Sequence, residues 1–208
     1  MGAGMGDHLR AADVLASGIH DAKNRLFAIG AKENTDSCDW AEIQKSLLEV
    51  AFHLDRTLTA YRLLRYENMA AVVPVFIPHL VEDVLVRCQT QTRVRISTEV
   101  GFHGEWPLSR KLVEETLINA LQNAGRFARS LIRLSIYKHD DTLVFKVNDD
   151  GPGFDDKTSS GHSVGLYIAE RIAQLHNYLS HDGTTRRGKL VLANGGELGG
   201  ALFLLELP

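Results

Sequence analysis

The sequence predicts a helical hairpin followed by an α+β sandwich, and three observations support that expectation. Two proline-free segments near the N-terminus carry apolar residues at steps of three and four, the spacing of packed helical seams. Beyond residue 70 the pattern changes to short alternating segments bounded by Gly, Asn and Asp, which read as strands and turns. Stretches of helical period stand among those strands, and strands with helices on one face make a two-layer domain.

The first segment, residues 8–34, places Ala12, Leu15, Ile19, Ala22, Leu26 and Ile29 on one seam. Asn34-Thr35-Asp36-Ser37 makes a turn, and Ser37 or Asp39 can cap the helix that follows. That helix, from Trp40 to about Tyr66, carries Ile43, Leu47, Val50, Leu54, Leu58 and Tyr61 on one side. Two helices of this length on a short loop fold back as an antiparallel hairpin. A lone hairpin cannot cover its own seam, so a homodimer closing a four-helix bundle is expected.

The helical pattern stops between Ala70 and Pro78. The boundary is placed near residue 70, giving domains 1–70 and 71–208. Val72 to Ile77 enters the second domain. His79 to Gln91 reads as a helix with Leu80, Val81, Val84, Leu85 and Cys88 inward, and Arg93 to Val100 alternates as a strand. A short strand or turn at Trp106 precedes a helix from Leu108 to Phe127. Ser130–Lys138 and Leu143–Val147 form a hairpin through His139-Asp140-Asp141. Tyr167 to Leu175 is helical, and Lys189–Ala193 pairs with Ala201–Leu207 around Asn194-Gly195-Gly196.

With 208 residues the chain can form one domain with a full core, or two small ones. Its 44% apolar and 24% charged residues are those of an ordinary soluble protein. A net charge of −3 argues against nucleic acid as the main partner, which normally leaves a basic footprint. No apolar run approaches the roughly 18 residues of a membrane span; Met69 to Ile77 is short and broken by Pro74. The opening MGAGMGDHLR has no signal-peptide core. Cys38 and Cys88 lack a CxxC spacing and fit a reducing cytoplasm. No trio of histidines has metal-ligand spacing.

Three blocks carry chemistry. In Leu112 to Phe127 the apolar stripe Leu112, Leu117, Ala120, Leu121 and Ala124 faces inward. Glu115, Asn119 and Asn123 stand at successive i, i+4 steps on a neighbouring face, a ladder of oxygen ligands suited to Mg²⁺ shared with phosphates. Arg126 can reach the same phosphates. Leu143 to Val147 then runs into Asn148-Asp149-Asp150-Gly151-Pro152-Gly153, where Asp149 offers a carboxylate to an exocyclic amine such as that of adenine. Gly161-His162-Ser163-Val164-Gly165-Leu166 opens a helix, and a glycine-bearing turn at a helix N-terminus suits an anion.

At these residues the chain resembles the Bergerat-fold ATPases, the superfamily of gyrase, MutL and the sensor histidine kinases. Asn119 and Asn123 resemble its N box, Asp149-x-Gly151-x-Gly153 its G1 box, and Gly161 to Leu166 its G2 box, over about residues 72–208. The resemblance implies that ATP and Mg²⁺ are bound by Glu115, Asn119, Asn123, Arg126, Phe127, Asp149, Gly151, Gly153, Gly161, Gly165 and Leu166. Asn123 would hold the metal, Asn119 and Arg126 the phosphates, and Asp149 the adenine. Ile19-His20-Asp21-Ala22-Lys23-Asn24-Arg25-Leu26 is similar to the H box of sensor histidine kinases. There His20 would accept the phosphoryl group, Asp21 would serve as base, and Asn24 would position water for dephosphorylating a response regulator.

The implied whole is the cytoplasmic core of a two-component kinase. It would autophosphorylate His20 and pass the group to an aspartate of a receiver domain, with a separate sensor protein as a further partner. Departures are plain. Arg25 replaces the usual proline, Ser163 a glycine and Ala201 a threonine, and only residues 154–160 separate the G1 and G2 boxes. Two alternatives remain at this point: an ATP-independent histidine phosphotransferase with a degenerate ATPase domain, and an ATP-dependent interaction switch.

Overall fold

The computed structural model describes residues 3–32, 40, 43–44, 46–47, 50–51, 54, 57–58, 60–61, 71–89, 94–154, 164–179 and 185–208. The chain forms two compact units, residues 1–66 with 162–168 and residues 67–161 with 169–208.

In the first unit, helix α1 runs from Ala3 to Lys32, beginning earlier than the apolar seam does. Every described residue from Trp40 to Tyr61 is also helical. Only part of the seam is covered. Of its members Ala22, Ile43 and Val50 are buried, as are Thr57 and Ala60 outside it, whereas Ile19 (58%), Leu26 (46%), Leu47 (46%), Leu54 (44%) and Leu58 (44%) remain exposed. The turn expected at Asn34 to Ser37, and Cys38, lie outside the described residues.

The second unit is an α+β sandwich. Strand β1 (Val73–Phe76) leads directly into α2 (Ile77–Gln89), followed by β2 (Arg95–Val100) and β3 (Glu105–Leu108). Helix α3 (Arg110–Phe127) precedes the hairpin of β4 (Leu131–His139) and β5 (Thr142–Asp149). Helix α4 (Val164–Leu175), which the second unit includes from Ala169 onward, β6 (Asn177–Leu179), β7 (Thr185–Arg187), β8 (Lys189–Asn194) and β9 (Ala201–Leu207) complete the order. The main sheet runs β2-β4-β5-β9-β8; β2 and β4 are parallel, and the other neighbours antiparallel. Pairs β1–β3 and β6–β7 form separate ribbons.

The sheet presents Ile132, Leu134 and Ile136 of β4, Leu143, Phe145 and Val147 of β5, and Phe203, Leu205 and Leu207 of β9 to one core. Leu80, Val84 and Cys88 of α2, and Val113, Leu117, Leu121 and Ala124 of α3, fill it from the helical layer, with Ala169 and Ala173 of α4. Every member of the expected α3 stripe is buried. The alternation of β5 points Asp149 to the same side as Leu143, Phe145 and Val147, so the core that forms the sheet also aims the carboxylate. Burial pushes the Cys88 thiol up to about 11. In a Cys38→Ser variant, Cys88 should therefore resist iodoacetamide in the native state and react on denaturation. Peptide mapping of the alkylated chain checks this.

Among the described residues, no helix is long and apolar enough to cross a membrane.

Candidate functional site

Asp149 ends β5 with 5% of its surface exposed. Its Oδ1 accepts the N–H of Gly151 at 2.8 Å and that of Ala201 at 3.1 Å. Its carbonyl accepts the N–H of Gly200 at 3.0 Å. Among the described residues no hydrogen bond falls on Oδ2. That oxygen, on a residue only 5% exposed, is open to a donor, and an exocyclic amine would supply one. Gly200 permits this seat. A Cβ there would lie 2.5 Å from the Asp149 carbonyl oxygen and 2.6 Å from Gly151 N.

The turn after Asp149 is tied to the C-terminal end of α3. Asp150 accepts N–H bonds from Arg129 at 2.8 Å and Ser130 at 3.0 Å, and the Ser130 hydroxyl at 2.6 Å. The Ser130 hydroxyl and N–H hold its carboxyl well below the usual carboxylate range. The Phe127 carbonyl lies so close to Gly151 that a Cβ would meet it at 2.6 Å. The C-terminal end of α3 and the turn at Gly151 thus approach so closely that Gly151 has no room for a side chain.

Along α3, Asn119 is buried (8% exposed) and Asn123 and Glu115 are partly buried, while Arg126 and Phe127 are exposed, Phe127 at 61%. No hydrogen bond falls on either asparagine carboxamide among the described residues. Two unengaged carboxamides one helical turn apart fit phosphate oxygens and a hard cation that shares its shell with them.

Gly153 has φ of +87°, which favours glycine. Beside it Asn194 clamps Phe154, accepting its N–H at 2.7 Å through Oδ1 and donating to its carbonyl at 2.9 Å through Nδ2. Asn194→Ala removes both bonds and should cost about 1–2 kcal/mol. A lower urea midpoint and faster exchange of the Phe154 amide would register the loss.

Gly161, His162 and Ser163 lie outside the described residues. Gly165 and Leu166 are in the first turn of α4, which starts at Val164 rather than Tyr167. The expectation that both precede the helix is corrected accordingly. A first-turn glycine loses little there, because no carbonyl of a preceding turn depends on it.

In the first unit His20 is exposed, with 64% of its side chain accessible. Its Nδ1 lies 3.1 Å from Asn24 Nδ2 and 3.8 Å from Asp21 Oδ1. The helical i, i+4 spacing makes Asn24 the nearer partner, rather than the adjacent carboxylate. With Nδ2 donating, the ring keeps its proton on Nε2. A half-turn of the carboxamide presents Oδ1 instead and frees the Nε2 lone pair.

The contacts of Asp150, Asn194 and Gly200 were not foreseen from sequence. Asp150 sits in a recognisable motif, but its partners come from another segment.

Residues 109–208 match the family described as histidine kinase-, DNA gyrase B-, and HSP90-like ATPase. Sensor protein RstB of Escherichia coli (strain K12) is 26% identical over 203 residues, covering 88% of this chain and 44% of RstB. The chain therefore spans less than half the length of that relative. Among solved structures, the Acinetobacter baumannii histidine kinase AdeS aligns with a TM-score of 0.68 at 16% identity, over 93% of this chain and 95% of AdeS. The ATP-binding domain of PrrB from Mycobacterium tuberculosis aligns with a TM-score of 0.53 at 24% identity, over 66% of this chain and 96% of that domain. Residues 109–208 are thus a histidine kinase-, DNA gyrase B-, and HSP90-like ATPase domain, in a chain homologous to sensor histidine kinases.

Proposed function

We propose that this chain is the catalytic core of a two-component histidine kinase, which phosphorylates His20 from Mg-ATP and passes the group to an aspartate of a response-regulator receiver domain. The observation that carries the reading is the buried Asp149 carboxylate, with one oxygen held by two backbone N–H groups and the other left for a ligand. Asp149 would accept the adenine amine, Asn119 and Arg126 would hold phosphates, and Asn123 would hold Mg²⁺. The metal would supply charge neutralisation on the transferring phosphoryl group. Residues 71–208 would form the ATP-binding domain and residues 1–70 the phosphoacceptor hairpin.

The accessible His20, with Asn24 and Asp21 on its Nδ1 side, supports its role as acceptor. The half-exposed seam of Ile19, Leu26, Leu47, Leu54 and Leu58 supports a homodimer, in which a second hairpin covers it. The site of action would be the cytoplasm, where receiver domains and ATP are found.

Incubation with γ-³²P-ATP and Mg²⁺ tests the proposal, and acid-labile, base-stable label is expected. Asn123→Ala should eliminate that label, with Mg-ATP binding lost by calorimetry. Mg-ATP binding without label would point to a switch. Neither binding nor label would point to a phosphotransferase.

A further inference from the structure

Helix α3 carries Asn119 and Asn123, yet its N-terminus has no cap of its own. Ser109 occupies the N-cap position, but its hydroxyl makes no capping bond. Ser109-Arg110-Lys111-Leu112 also lacks the Glu or Gln that, in a capping box, reaches back to the N–H of the N-cap residue. Ser109 is only 6% exposed, so its N–H needs a partner from the protein.

His176, the residue after α4, supplies it. The Ser109 N–H donates to His176 Nε2 at 2.9 Å. On the other side of the ring, Nδ1 lies 2.7 Å from the Ile172 carbonyl oxygen. An amide N–H only donates and a carbonyl only accepts, so the two contacts fix one tautomer, with the proton on Nδ1 and the lone pair on Nε2. The imidazole is 3% exposed. Burial holds its pKa below the usual histidine range, although the Ile172 carbonyl favours the charged form. The backbone of His176 is tied as well, its N–H to Ile172 and Ala173 and its carbonyl to the Gly188 N–H.

We propose that His176 is a positioning residue of the nucleotide site. Its neutral, singly oriented imidazole caps α3 from outside and fixes the helix that bears Asn119 and Asn123 to the C-terminal end of α4. The positioning role rests on the ATP reading above; the cap itself does not.

Two variants of the full chain test it. His176→Phe keeps the volume of the ring and removes both of its hydrogen bonds, while His176→Gln places an acceptor where Nε2 was. In the wild type, ¹⁵N NMR should show Nδ1 protonated and Nε2 bare at neutral pH. In the Phe variant the Ser109 amide should exchange faster and Mg-ATP should bind about fivefold more weakly. The Gln variant should recover most of both losses, which a purely volumetric role would not allow.

An Nε2–H tautomer, or Ser109 exchange unchanged in the Phe variant, would overturn the cap. A Phe variant that binds Mg-ATP as tightly as wild type would overturn the positioning role. If the Phe variant does not fold, the wild-type tautomer and the Gln variant still decide. A wild-type chain that bound no Mg-ATP would overturn the nucleotide reading and the positioning role with it, while the tautomer and Ser109 exchange would judge the cap separately.

Discussion

Replacing His20 with alanine is expected to remove all acid-labile, base-stable ³²P label while leaving Mg-ATP binding intact. The imidazole is largely exposed, and substitutions at exposed positions usually change stability by less than about 0.5 kcal/mol. Loss of label would therefore report chemistry rather than unfolding. For the transfer, Nε2 needs its lone pair, which requires the ring proton to sit on Nδ1. In the proposed transfer, as the Nε2–P bond formed and the P–O bond to ADP broke, the ring would gain positive charge. Asp21, 3.8 Å from Nδ1, would offset part of that charge, and Asn24 Oδ1 would accept the Nδ1 proton's hydrogen bond once its carboxamide had turned. Asp21→Asn should accordingly slow labelling while preserving the acceptor, as a time course of incorporation would show. Label surviving in the His20 variant would assign the acceptor to another of the chain's nine histidines.

The legible parts of this molecule are those in which one segment carries its own signal. The α3 stripe has helical period, β4 and β5 alternate around an Asp-containing turn, and Asp149-x-Gly151-x-Gly153 announces a close backbone approach. The ribbon of β6 and β7 was not legible, because three-residue strands are too short to show a period. The hairpin seam was legible as a pattern, but the pattern says only which residues want cover. The exposure of Leu26 and Leu54 shows which of them a single chain leaves open.

At the site, the missed contacts share a physical cause. A backbone N–H looks the same in every residue but proline, so nothing in the sequence says that Gly200 and Ala201, some fifty positions away, hold Asp149. Ala201 was read as a departure because threonine is common there. Its N–H reaches Asp149 regardless, so that contact does not depend on the missing hydroxyl. His176 was hidden for a related reason. A histidine closing an apolar helix reads as a helix end, and its partner Ser109 lies sixty-seven residues earlier.

Asp149→Asn should weaken Mg-ATP binding about 100-fold, equivalent to roughly 3 kcal/mol, with little change in thermal midpoint. Asparagine keeps an oxygen that can accept the Gly151 and Ala201 N–H groups, so the turn survives. In the position of Oδ2 it puts an NH₂ group, which donates. Facing the adenine amine, donor then meets donor, and the buried site cannot relieve the mismatch with water. The same change should favour a base with an oxygen at that position. Calorimetry with Mg-ATP and Mg-inosine triphosphate separates specificity from damage. Wild type should prefer ATP, and the variant should reverse the order. Equal loss of both nucleotides would mean that the substitution had disturbed the turn, and unchanged ATP affinity would remove Asp149 from base recognition. A reversal would require Asp149 to read the base through the one oxygen that the protein leaves open.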